Sequence, residues 1–507
     1  MNTVMLNNAF LDGNVVVKKG GGSSGGVPIK NQEKSVDIVA NGTTDVTPDA
    51  GFTGLSKVLV NVNVPSSGGG AVVSKGAVTF YDYDGVVLHS YTKDEFLALS
   101  AMPELPEREG LICQEWNWSF EDAVAYVQDY GILDVGATYI TDDGKTRLYI
   151  RIAAEGRMDV PLYFSQTVAN GVVIDWGDGS ETETLGGMWN VNTTHKYAEI
   201  GDYVITLDPV DGCTLVLGYG SSYSIMGFIS RAGQAYCNML QKVEAGRGVT
   251  SIGGSAFSTC YSLSSVVIPN SITNIESSAF YNCYSLSSVV IPNSITNIGN
   301  SAFYNCYSLS SVVIPNSITN IGNSAFNACY SLSSVVIPNS ITNIESSAFS
   351  TCYSLSSVVI PNSITNIGSS AFNACQSLSS VVIPNSITNI ESSAFRYCSS
   401  LSSIVIPDGV TSIANQTFEF CSSLSSIVIP DGVTSIGNAT FRSCHSMPLY
   451  DFSTCAAVPT LSSTGAFQDI ASDCKIIVPD ALYDEWIAAT NWSSFASQIV
   501  KASEFNA

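Results

Sequence analysis

Three histidines, His89, His195 and His445, are all the imidazole this chain has for acid–base work. None stands in a nucleophile arrangement; G-x-S-x-G occurs only inside the Gly/Ser run 20–26, which makes no elbow, and there is no H-E-x-x-H helix, P-loop or Cys-x-x-Cys pair. Carboxylates gather at Asp82-x-Asp84-Gly85, Asp142-Asp143-Gly144 and Asp175-x-x-Asp178-Gly179, fragments of the oxygen-rich loops that hold calcium. They lack the spaced third carboxylate and terminal glutamate of an EF-hand, and Asp-Gly turn formation accounts for them. Trp116, Trp118 and Phe120 could form a sugar platform or pack in a core. The catalytic inventory is poor: we expect no enzyme activity, no metal and no cofactor, with a glycan hydrolase using the Asp-rich loops as the weakest alternative.

Richer chemistry lies in residues that recur. Cys237, Cys260, Cys283, Cys306, Cys329, Cys352, Cys375, Cys398, Cys421 and Cys444 stand 23 residues apart. Stacked rungs would lie about 4.8 Å apart with these side chains parallel, so they read as buried free thiols acting as small hydrophobes rather than as disulfides. Each unit has the form Leu263-x-x-Val266-x-Ile268-Pro269-x-x-Ile272-x-x-Ile275-x-x-x-x-Phe280-x-x-Cys283. One unit cannot bury its apolar face alone, but stacked copies join theirs into a continuous core.

Two columns are candidate binding residues. If Leu263, Val266 and Ile268 point inward, strand alternation turns Val267 out, and with it Val290, Val313, Val336, Val359, Val382, Val405 and Val428. Such an apolar stripe is either a contact surface or the product of β-propensity alone. After the cysteines come Tyr261, Tyr284, Tyr307, Tyr330 and Tyr353, then Gln376, Ser399, Ser422 and His445. The tyrosine ladder offers amphipathic contact area at low entropic cost; tolerated variation of an outer turn is the other reading. The pair between Phe and Cys also varies, as Tyr281-Asn282, Asn327-Ala328, Arg396-Tyr397, Glu419-Phe420 and Arg442-Ser443.

With 20 basic and 43 acidic residues, the chain has a net charge of -23, which disfavours nucleic acid and anionic membranes. Between Cys237 and Cys444 there are four basic and seven acidic residues, so the flanks hold most of the charge. No apolar run approaches the roughly 18–20 residues of a transmembrane helix, and residues 1–19 do not read as a secretory signal.

Composition divides the chain into an N-terminal attachment segment and Gly/Ser linker (1–26), a small β module and second linker (27–70), an α+β domain (71–155), a β-sandwich (156–212), the solenoid (213–447), and an irregular rung with a helical cap (448–507). The helix signals of the α+β domain are Thr92-Lys93-Asp94-Glu95 and the run opening at Ser119. The first rung is degenerate, with Ala245 and Gly246 where later repeats have Ile and Pro. Residues 480–492 should form one capping helix, with Leu482, Trp486, Ile487, Trp492 and Phe495 facing the open end. The fold class is therefore multidomain and β-rich, with small N-terminal β and α+β modules, a β-sandwich and a dominant repeat solenoid.

Asp175-Trp176-Gly177-Asp178-Gly179, followed by His195-Lys196-Tyr197 and Gly201-Asp202-Tyr203-Val204, resembles the polycystic kidney disease (PKD) domain, which implies a spacer or adhesion unit. Ala256-Phe257-Ser258-Thr259-Cys260-Tyr261-Ser262-Leu263 through Ile268-Pro269 resembles the BspA-like, 23-residue class of leucine-rich repeats. That resemblance implies a surface protein that binds proteins or host surfaces. Residues 41–64 and 78–143 resemble parts of gut-phage tail or accessory proteins. The expected function is adhesion or receptor binding, with the repeats as binding surface, a protein or glycan on a cell surface as receptor, and virion or envelope proteins held by the N-terminal region. A phage tail-associated or fibre-like location is the first expectation; a bacterial cell-surface, extracellular adhesin is the alternative.

Overall fold

The computed structural model describes residues 31–39, 54–63, 76–218, 223–228 and 234–505. The segment 14–18 and both Gly/Ser linkers lie outside the described residues. Asn31–Val39 and Gly54–Asn63 form a parallel strand pair in a unit of their own, residues 1–73. Everything else belongs to a second unit, residues 74–507.

That unit is organised by the solenoid, of about eleven turns. Most turns supply a three-residue strand such as Ser288–Val290, then a two-residue strand such as Asn297–Ile298, then a tight outer turn. Rungs pair in parallel and in register, Val289 on Val312 and Ile298 on Ile321. Leucine, valine or isoleucine, phenylalanine and cysteine from every rung, with an alanine before the phenylalanine up to Ala394, merge into one core, and Phe257 to Phe441 stack ring on ring. The outer turn holds two non-glycine residues per rung in the left-handed region, such as Ser278 (φ 59°) and Asn282 (φ 62°). Their amides reach Asn300 O and Tyr304 O of the next rung, so ladder hydrogen bonds offset the strain.

The cysteines are free. From Cys283 onward each cysteine of the column is also a donor: Cys283 Sγ lies 3.2 Å from Phe257 O, and the relation repeats up to Cys444 Sγ on Phe418 O. Burial pushes the thiols from Cys283 to Cys444 up, to about 12 at Cys352, Cys398 and Cys444. Iodoacetamide at about pH 8 is expected to leave Cys283 to Cys444 unlabelled in the folded protein and to label them all in denaturant, because only thiolate reacts. Native labelling read by mass spectrometry would contradict the packed column.

At its N-terminal end the solenoid runs into the sandwich without a seam. One sheet lies in the order Glu183–Thr184, Val172–Asp175, Gly201–Pro209, Thr146–Ile152, Leu240–Glu244, Ser265–Val267. The other is Val191–Lys196, Asp159–Gln166, Leu215–Leu217, Val249–Ile252, then the short strands from Asn274–Ile275 onward. The boundary at 155 needs correction: Thr146–Ile152 pairs with Gly201–Pro209 and Leu240–Glu244, so it is a sandwich strand rather than part of the α+β domain. The degenerate rung has a steric reason as well. A Cβ on Gly246 would lie 2.4 Å from Gly144 O, where the preceding hairpin crosses.

The α+β module is a four-stranded sheet, ordered Val87–Tyr91, Val78–Tyr81, Leu133–Thr141, Leu111–Trp116, with helices Lys93–Leu97 and Phe120–Tyr130. Thr92 and Glu95 form a capping box, Ser119 caps the second helix, and Gly131 ends it in the left-handed conformation. The C-terminal cap also differs from expectation. Its helix is only Tyr483–Ala488, because Ala489 is extended and Asn491 has φ 68°. A 3-10 turn, Trp492–Phe495, follows, and the chain then adds strand Ile499–Lys501 to Lys475–Val478. Trp486 and Trp492 are buried against Phe452.

Candidate binding surface

The valine column does not stand free along its length. Val267, Val290, Val313 and Val336 are buried, whereas Val382 is 81%, Val405 58% and Val428 52% exposed, with Val359 between the two groups. The expectation of one exposed stripe is therefore corrected for its first half. The cover is the α+β module, whose core includes Val267 and Val336, while Val290 and Val313 pack with Tyr81. Gly136 is the point of closest approach, since a Cβ there would lie 2.5 Å from Val290 Cγ1.

The repeat's proline explains how the module is held. In a parallel ladder Ile291 N–H donates to Val313 O at 3.2 Å, and the return bond to Ile291 O would come from the residue after Ile314. That residue is Pro315, which has no N–H. Every Ile-Pro step from Pro292 on thus leaves one isoleucine carbonyl without its ladder donor. Side chains of the module supply three of them: Asn117 Nδ2 to Ile291 O (3.0 Å), Trp118 Nε1 to Ile314 O (3.2 Å) and the Tyr126 hydroxyl to Ile337 O (2.8 Å). Around these, Asn270 N–H donates to Gln114 Oε1, Asn293 Nδ2 to Glu115 Oε1, Asn362 N–H to the Tyr130 hydroxyl, and Ser288 Oγ to Tyr83 O. No local pattern marks Asn117, Trp118 and Tyr126 as contacts, although the regular Ile-Pro step is a visible sign that donors are needed. Trp116 is buried too and donates to Pro103 O, so the tryptophans form core and interface rather than a sugar platform.

The tyrosine ladder is continuous. Tyr261, Tyr284, Tyr307, Tyr330 and Tyr353 stack with centroids 4.5, 4.5, 4.5 and 4.8 Å apart, partly exposed throughout. The variable pairs of the late rungs instead tie to one another. Arg396 Nε is 2.5 Å from buried Glu419, Arg442 approaches the same carboxylate at 3.5 Å, and Tyr397 stacks on Phe420 at 4.6 Å.

The carboxylate motifs serve local structure. Among the described residues no group of three or more His, Cys, Asp or Glu side chains could hold a metal ion. No described helix is long and apolar enough to cross a membrane. Asp178 pairs with His195 at 2.7 Å, His195 stacks on buried Trp176 at 4.7 Å, and the Tyr197 hydroxyl donates to Trp176 O. Burial opposes ionisation of Asp178, but hydrogen bonds from Ser180 and His195 outweigh it and hold the carboxyl at about 2. A depressed folded value means that this stabilisation is present above the ordinary carboxylate value of about 3.9 and is lost as pH falls through about 2. Asp178→Asn is expected to lower stability at neutral pH and to flatten its decline over that window. Urea midpoints that run parallel for both proteins would refute the pairing.

Two sheets of parallel rungs with an apolar Leu/Val/Ile repeat and a stacked phenylalanine wall define a leucine-rich repeat solenoid. Residues 229–355 and 342–471 match the BspA type leucine rich repeat region, and the chain belongs to that family. The resemblance of residues 156–212 to a PKD domain falls outside that match. No curated protein matches the chain. Among solved structures, a leucine-rich repeat protein of Treponema pallidum is 37% identical, over 32% of this chain and 78% of that one, with a TM-score of 0.31. One from Bacteroides ovatus is 24% identical over 50% and 76%, with a TM-score of 0.39. A leucine rich cell surface protein of Faecalibacterium prausnitzii is 27% identical over 48% and 73%, with a TM-score of 0.34. The family is one of surface proteins whose repeats mediate protein interactions, and it brings no catalytic family with it.

Proposed function

We propose that this chain is a non-enzymatic adhesion protein that presents its solenoid to a receptor on a cell surface. The observation that carries this reading is the five-ring tyrosine ladder, a rigid, partly exposed strip repeated rung by rung. Chemistry needs one asymmetric constellation, whereas repeated rungs extend a contact. Tyrosine offers large amphipathic area with few rotors to freeze. Tyr307→Ala combined with Tyr330→Ala is expected to weaken binding to receptor-bearing cells about tenfold without changing the unfolding midpoint by more than a few degrees. Unchanged cell binding would overturn the assignment of the ladder.

The family's setting supports a bacterial surface as the holder, with the region before the solenoid attached to envelope proteins. A phage tail or fibre is the second reading, favoured by the resemblance of residues 41–64 and 78–143 to gut-phage structural proteins. An antibody against the solenoid separates the two. Signal in the envelope fraction supports the first, and signal on purified particles supports the second.

A further inference from the structure

The covered half of the valine column is a worked example of what binds this face. Three rungs offer buried valines and three carbonyls left open by proline, and the module answers with a glycine at the closest approach and amide, indole and phenol donors over the carbonyls. Farther along, the same valines and Ile-Pro steps recur beyond the module. Val382, Val405 and Val428 are exposed, and Ile360, Ile383 and Ile406 precede rungs whose donors would be Pro384, Pro407 and Pro430. The two stretches are one column, interrupted only by the end of the module at Asn362.

Their rims differ in charge. The residue after proline is asparagine in the covered rungs, where Asn270, Asn293 and Asn362 bond to the module. It remains Asn385 in the next rung, then becomes Asp408 and Asp431, both exposed. Asp431 accepts a hydrogen bond from Thr454 Oγ1. An apolar stripe with open acceptors and two carboxylates selects an occupant that is apolar at its centre, carries side-chain N–H or O–H donors, and is basic at its edge.

We propose that the rungs bearing Val382, Val405 and Val428 dock a second protein. Its contact surface places tryptophan, tyrosine or asparagine donors on the carbonyls of Ile360, Ile383 and Ile406, and lysine or arginine beside Asp408 and Asp431. The occupant is a protein because the face being extended is one that a folded module already covers, and because a glycan would leave three aliphatic side chains without apolar cover. The proposal deepens the adhesion reading and rests on it.

The test uses the full chain with a photo-crosslinking phenylalanine at position 405, applied to cells that bind the wild type, together with Val382→Glu/Val405→Glu and Asp408→Asn/Asp431→Asn. We expect a single crosslinked polypeptide whose contact peptide contains an aromatic or asparagine donor and a basic residue. The glutamate pair should bind at least tenfold more weakly, and the asparagine pair should bind with a shallower salt dependence. Crosslinks to a second copy of the chain, crosslinks to glycan, or undiminished binding of the glutamate pair would each overturn the proposal while leaving the adhesion reading intact. Failure of the wild type to bind any cell would instead overturn the adhesion reading, and this proposal with it.

Discussion

Phe303→Ala is expected to destabilise the solenoid by about 3–5 kcal/mol, the cost of removing a fully buried ring from a core that cannot collapse around the gap. Phe303 is wholly buried, 5.0 Å from the ring of Phe280 and 5.3 Å from that of Phe326. Ladder bonds on both sides hold those neighbours, since Phe280 N–H donates to Ala302 O and Phe303 N–H to Ala325 O. Relaxation into the cavity would have to break the register of two rungs. Because a repeat array is a sum of units and nearest-neighbour interfaces, the loss falls on two adjoining interfaces. Urea unfolding should show a lowered midpoint or a new early transition from the weakened rungs. A curve superimposable on wild type would mean that the ring column contributes little.

The second large effect is at Asn117, where alanine is expected to loosen the α+β module from the solenoid at a cost of about 2–4 kcal/mol. The buried amide makes bonds in two directions. Its Oδ1 accepts from Gly136 N–H at 2.7 Å, and its Nδ2 donates to Ile291 O at 3.0 Å and Val313 O at 3.4 Å. Alanine strands a donor on the module and an acceptor on the rung, both away from water. Release of the module uncovers Val267, Val290, Val313 and Val336, so binding of a hydrophobic dye should rise together with proteolysis in residues 76–141. Asn117→Asp sharpens the test, because its carboxylate would face the Ile291 carbonyl without a donor. Burial there raises the folded pKa above the unfolded value, so the aspartate variant should be firmest in acid and lose stability as pH rises. An aspartate variant as stable at neutral pH as in acid would show that the site is wet.

The solenoid could be read from the sequence because its information is local and repeated: a 23-residue spacing, an inward Leu-x-x-Val-x-Ile and a cysteine in one register. Strand alternation also separates Val266 from Val267. What no local pattern carries is cover arriving from elsewhere in the chain. Asn117 meets Ile291 across 174 residues, and Tyr126 meets Ile337 across 211. Thr146–Ile152 joins the sandwich rather than the α+β domain without any local sign of it, since its alternation is equally satisfied by either sheet. Residues 480–492 have a helical apolar face, yet the helix breaks because the chain must turn back to lay down one more strand. The proline is the informative residue of the repeat: placed at the strand exit, it announces a row of acceptors that something else must satisfy.

Because Thr146–Ile152, which follows the α+β module directly in the chain, pairs with the first rung, the module's place on the column is counted from the N-terminal end. Near-identical repeats let a whole unit be gained or lost by recombination between copies, and within the covered span the shifted rung would bring the same valine, carbonyl and proline to the same donors. The clamp is therefore indifferent to copy number, and the difference accumulates in the bare stretch. This architecture can change its reach in steps of one rung, about 4.8 Å, without redesigning the contact that holds it together.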